Sequence, residues 1–271
     1  MKYSQIRTHY EIDCKTAWCY MRGQPRPCFT PTLLREGRHY FDKLSTQTKH
    51  DIRYMVLASD VPGVYNLGGD LDLFRTLITR KDEEGLYQYA KACIDLLYLK
   101  MVGFKRDITH ITLVQGAALG GGFECALASH VLIAERRARM GLPEILFNLF
   151  PGMGAYSFLS RKLGPVQAQE VILSGKIYNA EELHALGIVD LLAEDGQGVL
   201  AAYEYIKRES KTRNGYLAMR KVRNYLNPVS YEELIHVAKI WVEAALRIEQ
   251  RDLRMMERLI SRQTHKSVKV A

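Results

Sequence analysis

The sequence contains no long apolar segment. No apolar run of about 18 residues occurs among its 271 residues, so we expect no transmembrane helix and no membrane partner. Residues 1–7 also lack the apolar core of a secretory signal peptide. With 47% hydrophobic and 25% charged residues, the composition is typical of a globular chain that can bury a large core. We therefore expect a cytoplasmic protein.

Cysteine and histidine are few and are poorly spaced for a metal site. The five cysteines are odd in number and contain no Cys-x-x-Cys pair, which argues against a disulfide framework and against the common zinc motifs. The eight histidines contain no His-x-x-x-His pair. We therefore expect no metal ion and no cofactor. The cysteines are Cys14, Cys19, Cys28, Cys93 and Cys125.

Positive charge is concentrated near the C-terminus. The net charge is +8, and residues 205–271 alone hold 15 Lys and Arg against 7 Asp and Glu. Such a region attracts phosphates or an acidic protein, and it is equally consistent with solvated helical faces. The sequence has no recognisable nucleic-acid-binding module and little alternation of aromatic and basic residues, so we expect no nucleic-acid partner.

Strand-like and helical patterns alternate through the chain. Residues 52–58, 111–115 and 131–135 are apolar runs typical of buried strands, and glycine turns follow the first two. Helices are expected between them, which predicts an α/β protein with parallel strands covered by helices. Other expected elements are β structure over 9–21, helices over about 30–44, 86–99 and 122–129, and a short strand at 188–189.

Two helix starts carry capping signals. Asn179 and Ser230 each stand three residues before a glutamate, which is the spacing of a capping box. The helix that Ser230 opens carries an apolar stripe at helical spacing, and this stripe needs a burial partner in this chain or in another. The stripe consists of Leu234, Ala238, Trp241, Ala245 and Ile248.

The most informative segment is residues 118–124, Ala-Leu-Gly-Gly-Gly-Phe-Glu, which joins a predicted strand to a predicted helix. A glycine turn at such a junction aims backbone N–H groups at a negative charge. No Gly-Lys-Ser/Thr follows, which argues against a nucleotide P-loop, and the spacing does not match the dinucleotide fingerprint. A helix-capping role would explain Glu124 alone. The second glutamate, Glu144, and the further turn at Gly68 and Gly69 favour a catalytic site.

Five segments resemble, in order and spacing, the crotonase (enoyl-CoA hydratase/isomerase) superfamily. The resemblance implies an α/β crotonase (ClpP-like) spiral fold of repeated ββα units over residues 1–200. It also implies a C-terminal helical oligomerisation region, residues 201–271, that serves trimerisation or covers the active site. The segments are residues 66–71 (Asn-Leu-Gly-Gly-Asp-Leu), 118–124, 141–144 (Gly-Leu-Pro-Glu), 150–155 (Phe-Pro-Gly-Met-Gly-Ala) and 174–190 (Ser-Gly to Ala-Leu-Gly-Ile-Val-Asp).

Within the superfamily, residues 66–71 and 143–159 look most like the bacterial diffusible-signal-factor synthases. That likeness implies dehydration of a 3-hydroxyacyl thioester on acyl carrier protein, then thioester hydrolysis that releases a cis-2-unsaturated fatty acid for quorum sensing. It also implies docking onto a sensor histidine kinase. The first alternative is an ordinary enoyl-CoA hydratase of fatty-acid oxidation, which acts on acyl-CoA. The second is a regulatory or RNA-binding relative that is not an enzyme.

The resemblance assigns roles to particular glycines and glutamates. The backbone N–H groups of Gly69 and Gly121 would form an oxyanion hole for the thioester oxygen. Gly68 is an alternative to Gly69, because the Leu-Gly-Gly-Asp turn departs from the usual Ala-Gly-Ala-Asp. Glu124 and Glu144 would be the acid and the base, and the presence of both indicates hydration or dehydration. One carboxyl must be protonated while the other is ionised, and the sequence leaves open which.

An apolar tunnel is expected for the acyl chain of the substrate. The candidates lie near the site in the sequence, and ordinary core packing is the favoured explanation for any single one of them. By resemblance the protein would form a homotrimer or a hexamer. The acyl-pocket candidates are Leu142, Ile145, Phe147, Leu149, Met153, Tyr156 and Phe158.

Overall fold

Two β-sheets organise the chain, which a computed structural model describes over residues 2–258. In chain order the strands are β1 (Ile6–Glu11), β2 (Thr16–Met21), β3 (Tyr54–Ser59), β4 (Val64–Asn66), β5 (Thr109–Val114), β6 (Ala117–Leu119), β7 (Val131–Glu135), β8 (Arg139–Gly141), β9 (Ile177–Asn179) and β10 (Leu191–Ala193). The larger sheet has the order β1–β2–β3–β5–β7–β10 and the smaller β4–β6–β8–β9. Neighbours are parallel except in the pairs β1–β2 and β8–β9, which are antiparallel.

Successive strands divide between the two sheets. β3, β5 and β7 are neighbours in the larger sheet, and the strands that follow each of them, β4, β6 and β8, are neighbours in the smaller one. Parallel neighbours need a crossover, and helical segments supply it between one pair of strands and the next. This is the ββα spiral expected from the sequence. Since β4, β6 and β8 run in the same direction, the turns that follow them meet at one edge of the smaller sheet.

Helices cover both faces of the larger sheet. They are α1 (Pro31–Thr46), α2 (Leu71–Thr79), α3 (Glu83–Met101), α4 (Gly121–Leu127), α5 (Ala155–Leu163), α6 (Pro165–Leu173), α7 (Ala180–Ala185), α8 (Gly198–Lys211), α9 (Arg213–Leu226) and α10 (Tyr231–Leu246). α8 packs on one face, while α1, α3 and α4 pack on the other. The strands β5 and β7 are therefore buried along their whole length, which explains their continuous apolar sequences. Residues 250–258 are also helical.

The structure differs from the sequence-based elements at several places, and helices α5 and α6 were not among those predicted. Helix α2 was not predicted, although Asp70 caps it by accepting from the backbone N–H of Leu73. The strand expected at 188–189 is wrong, because β10 begins only at Leu191. The capping box at Asn179 is complete, but Ser230 forms only half of one. There the Glu233 carboxylate binds the Arg161 guanidinium on α5 instead of accepting a hydrogen bond from the backbone N–H of Ser230.

The apolar stripe that begins at Leu234 is buried within this chain. All five of its residues are buried, and α10 lies along α3. The ring centroids of Trp241 and Phe74 are 4.9 Å apart. A Cβ atom on Gly152 would come within 2.5 Å of the Trp241 ring, so α10 closes tightly over the segment before α5. Assembly into a trimer or hexamer stays a prediction.

The predicted boundary between residues 200 and 201 falls inside α8. This helix packs on the larger sheet through Ala202, Tyr205 and Ile206. Residues 259–271 of the predicted C-terminal region lie outside the described residues. Among the helices of residues 2–258, none is both long and apolar enough to cross a membrane.

Replacing Trp241 tests the packing of α10 inside the chain. Trp241→Ala should lower the free energy of unfolding by about 3–5 kcal/mol, because it leaves a cavity where a buried indole stood. Urea denaturation at two protein concentrations measures this. Tyr225→Ala, on the exposed surface of α9, is the control and should change the value by less than about 0.5 kcal/mol. Unchanged stability of Trp241→Ala would contradict the intrachain packing.

Candidate active site

The turns after β4, β6 and β8 meet around one cavity of about 260 Å³. Gly69 follows β4, Gly121 follows β6, and Glu144 follows β8. Glu124, one turn into α4, lines the same cavity. The parallel pairing of the three short strands therefore collects all four residues that the sequence singled out, although they lie up to 75 positions apart.

Gly69 and Gly121 bring two unpaired backbone N–H groups to this cavity. Within residues 2–258, neither N–H has a hydrogen-bond acceptor. The two turns touch, since a Cβ atom on Gly121 would lie 3.6 Å from the nitrogen of Gly69. The N–H of Gly68 is instead donated to Asn66 Oδ1 at 2.8 Å. Of the two adjacent glycines, Gly69 is thus the one whose N–H is left for a ligand.

Two glycines are required by close approach as well as by backbone conformation. Gly68 has φ of 90°, and a Cβ atom there would lie 2.7 Å from the carbonyl oxygen of Leu119. Gly120 has φ of 52°, and its Cβ atom would lie 2.5 Å from Glu144 Oε1. A side chain at either position would separate the turns or displace the carboxyl group. The close contacts within the site therefore explain why glycine occupies both positions.

Glu124 is buried and held by the start of α5. Its Oε1 accepts hydrogen bonds from the backbone N–H groups of Met153 at 2.7 Å and Ala155 at 2.9 Å. Burial raises the pKa of Glu124 to about 7, although these backbone donors oppose the rise. Near neutral pH the group can therefore exist as a carboxylate whose position is fixed.

Glu144 has fewer partners than Glu124. Among the residues that the structure describes, none forms a hydrogen bond with Glu144 Oε2. Burial raises the pKa of Glu144 well above its ordinary value, and the nearby charge of Glu124 raises it further. Of the pair, Glu144 is therefore the carboxyl that holds its proton more strongly. The sequence left this difference open.

The structure brings three of the seven acyl-pocket candidates to the cavity. Phe147, Leu149 and Met153 line it. Leu142 and Phe158 are buried in the core outside its lining, whereas Ile145 and Tyr156 are exposed at the surface. Pro143 and Leu146, close to Glu144 in sequence, also line it, and residues distant in sequence supply more of the apolar wall: Leu71, Phe74, Ala90, Cys93 and Trp241. In the described part of the chain, no group of three or more His, Cys, Asp or Glu side chains could hold a metal ion.

Two side chains that the sequence analysis did not identify, Tyr89 and Arg26, hold the first glycine turn in place. Tyr89 on α3 donates to the carbonyl of Phe29 at 2.5 Å and accepts from the N–H of Asp70 at 3.0 Å. Asp70 also binds the Arg26 guanidinium at 2.7 Å. Asn66 and Asp70 lie within the recognised segment 66–71, so their presence was a usable signal. Nothing in the sequence connects that segment with Tyr89 or Arg26.

A buried lysine supports the second glycine turn from behind. Lys100 on α3 is fully buried and donates to the carbonyl oxygen of Cys125, which follows Glu124 in α4. Its Nζ atom lies 3.2 Å from Cys125 Sγ. Burial lowers the pKa of Lys100 below its usual range. A positive group at this end of α4 complements the helix dipole and ties the helix to α3.

The two raised carboxyl pKa values predict how stability depends on pH. The folded chain retains protons that the unfolded chain releases above the ordinary value of 4.5. The stability that these groups contribute at low pH is thus lost as the pH rises through the folded pKa values. When the pH is raised from about 5 to about 8, the free energy of unfolding should fall by about 1–3 kcal/mol less in Glu144→Gln than in the wild type. Urea denaturation across this interval measures the difference.

The exposed Glu170 supplies the matched control for that comparison. Glu170→Gln makes the same chemical change on the surface of α6 and should follow the pH dependence of the wild type. The same dependence in Glu144→Gln would show that Glu144 is not held in its protonated form.

Removing the Asn66 side chain should loosen the first glycine turn. Asn66→Ala leaves the buried N–H of Gly68 without its acceptor, so the free energy of unfolding should fall by about 1–3 kcal/mol. Asn214→Ala, at an exposed position on α9, should change it by less than about 0.5 kcal/mol. Thermal and chemical denaturation measure both variants. If both substitutions had an equally small effect, the Asn66 side chain would not be needed to stabilise the first glycine turn.

Curated proteins and solved structures similar to this chain include enoyl-CoA hydratases. The chain is 32% identical to "Probable enoyl-CoA hydratase" of Bacillus subtilis (strain 168) over 189 residues, which are 70% of each protein. It is 28% identical over 182 residues to the mitochondrial methylglutaconyl-CoA hydratase of Mus musculus, covering 67% of this chain and 55% of that protein. An enoyl-CoA hydratase from Bacillus halodurans has the same fold, with a TM-score of 0.82, 19% identity, and coverage of 94% of this chain and 100% of that one.

Some relatives are much longer than the region they share with this chain. The match spans 20% of the peroxisomal fatty acid beta-oxidation multifunctional protein AIM1 of Arabidopsis thaliana, with 31% identity over 55% of this chain. The family model for enoyl-CoA hydratase/isomerase matches residues 22–240, which include both glycine turns and both buried glutamates. The chain therefore belongs to the enoyl-CoA hydratase/isomerase family.

Proposed function

We propose that this chain adds water across the C2–C3 double bond of a 2-enoyl thioester, and catalyses the reverse dehydration. The observation that carries the proposal is the meeting of two buried carboxyls, Glu124 and Glu144, with the free N–H groups of Gly69 and Gly121 in one apolar cavity. Each of these groups has a simple structural explanation when taken alone. Their convergence is what a hydration site requires.

The stronger hold of Glu144 on its proton supports separate roles for the two carboxyls. In the hydration direction, Glu124 accepts a proton from water as the water oxygen bonds to C3. Glu144 gives its proton to C2. Glu124 is then protonated and Glu144 ionised, and proton exchange with solvent restores the starting state. Dehydration runs through the same steps in reverse.

The backbone donors stabilise charge on the thioester oxygen. When C3 is attacked, negative charge moves through C2 to the carbonyl oxygen. Two N–H groups already aimed into a water-poor cavity require little reorganisation to accept it, and one such donor is worth about 3–4 kcal/mol of barrier in comparable sites. Gly68 takes no part in this because its N–H is bound to Asn66.

We propose an acyl-CoA as the substrate. The relatives whose names state a substrate are hydratases of acyl-CoA thioesters, and the cavity wall is apolar where an acyl chain would lie. Phe147, Leu149, Met153, Phe74 and Trp241 belong to that wall. Acyl chain length is set by how far this wall extends from the two carboxyls.

A second candidate is the synthesis of a diffusible fatty-acid signal on acyl carrier protein. The sequences of residues 66–71 and 143–159, which build the first glycine turn and the Glu144 wall, favour it. This reaction would dehydrate a 3-hydroxyacyl thioester and then hydrolyse the thioester, adding water to give a free acid and a thiol. The same oxyanion hole would serve both steps. A free acid product separates this candidate from a simple hydratase.

Glutamine variants test the proposed hydration. With crotonyl-CoA as substrate, Glu124→Gln and Glu144→Gln should each lower kcat by about 10²–10⁴-fold, because each removes one proton-transfer group. Hydration by the wild type should also slow below about pH 7, as Glu124 becomes protonated. Loss of the ultraviolet absorbance of the conjugated thioester reports the rate, and a thiol reagent reports hydrolysis.

The same assay includes a control variant, and two of its possible results would argue against the proposed hydration. Glu170→Gln should retain the wild-type rate, since that side chain is exposed on α6. Release of thiol from a 3-hydroxyacyl-carrier-protein substrate by the wild type would favour the signal synthase. Hydration that survives both glutamine substitutions would overturn the proposed mechanism.

A further inference from the structure

A second cavity, of about 380 Å³, lies on the other face of the larger sheet from the candidate active site. α8 and α9 form its walls, and the first residues of β7 and β10 form its base. It shares no lining residue with the active-site cavity. It is therefore not a part of the hydration site already described.

The charge of this cavity comes from arginines. Arg208, Arg220 and Arg223 line it. Within residues 2–258, neither Arg208 nor Arg223 has a carboxylate within 4.0 Å, whereas Arg220 lies 4.0 Å from Glu209 Oε1. His130 adds no charge, because burial and the charges of Arg220 and Arg223 hold its pKa well below the usual range.

The acidic groups nearby are already engaged. Asp190 is the carboxylate in the lining, and its Oδ2 accepts from the N–H of Leu132 at 2.7 Å. Glu209, beneath the cavity, accepts from Thr109 Oγ1 at 2.7 Å and from the Tyr205 hydroxyl at 2.6 Å. Its Oε1 also lies 4.0 Å from Arg220. These carboxylates offset part of the positive charge and leave Arg208 and Arg223 uncompensated.

The innermost arginine is held in place before any ligand binds. Arg220 is largely buried, and its guanidinium donates to Thr109 Oγ1 at 2.9 Å. Burial lowers the pKa of Arg220, and repulsion from Arg223 and Arg213 lowers it further, against the opposing effects of Glu209 and Tyr205. Arg208 lies over the Tyr205 ring at 5.5 Å. An anion between Arg220 and Arg223 would relieve the repulsion between these two guanidinium groups.

We infer that the cavity between α8 and α9 is a binding site for a small ligand that carries two or more phosphoryl charges. Guanidinium groups match phosphoryl oxygens in geometry, and the cavity is large enough for a diphosphate. Tyr216, on the α9 side, also lines the cavity. The ligand is either free pyrophosphate or the diphosphate of a nucleotide.

Calorimetric titration of the full chain with sodium pyrophosphate and with ADP tests the inference. Both titrations are run against sodium chloride at matched ionic strength. We expect one saturable site per chain for at least one of the two, and the tighter ligand identifies the source of the phosphate. Arg208→Gln and Arg223→Gln should each weaken binding about ten-fold. Both residues are exposed, so these variants keep the fold.

Lys221→Gln is the matched control for these variants. Lys221 is on α9 but outside the cavity, where its Nζ lies 3.7 Å from Asp107 Oδ1. Removing this charge should weaken binding by less than about two-fold. No binding of either probe above the sodium chloride baseline would overturn the inference. Equal weakening by Lys221→Gln and Arg223→Gln would also overturn it, since that result indicates a diffuse charge effect.

Discussion

The arrangement of the site depends on the parallel pairing of three very short strands. β4, β6 and β8 each contain three residues, yet their shared direction carries Gly69, Gly121 and Glu144 to one edge of the smaller sheet. A register shift of one residue would turn these groups away from each other. The close approach of Gly68 to Leu119, and of Gly120 to Glu144, leaves no room for such a shift. The register of the short strands and the glycines at these turns therefore depend on each other, because the turns can approach this closely only without side chains at Gly68 and Gly120.

Burial affects the two glutamates differently. Both would resist ionisation in an apolar cavity, but the start of α5 offers Glu124 backbone donors, whereas Oε2 of Glu144 finds no donor in the described part of the chain. Glu124 can therefore ionise near neutral pH, and Glu144 holds its proton more strongly. The same burial makes the pair costly to the folded state at alkaline pH, so chemistry and stability oppose each other here.

The sequence predicted the spiral fold and the residues that meet in the cavity, because glycine turns and glutamates form compact, ordered motifs. Asn66 and Asp70 lie inside one of those motifs. The hydrogen bond from Gly68 to Asn66 and the ion pair between Arg26 and Asp70 could be identified only from the structure. Tyr89, Phe74 and Trp241 reach the cavity from α3, α2 and α10, and no local pattern reveals such distant convergence. Ile145 and Tyr156 illustrate the converse, since proximity to Glu144 in sequence did not bring them to the cavity.

The most direct test of this account is a crystal structure with acetoacetyl-CoA bound. The account predicts that the thioester oxygen lies about 2.7–3.1 Å from the backbone nitrogens of both Gly69 and Gly121. It also predicts that C2 and C3 lie between the carboxyls of Glu124 and Glu144. A thioester bound away from the two glycines, or a C2 atom out of reach of Glu144, would contradict it.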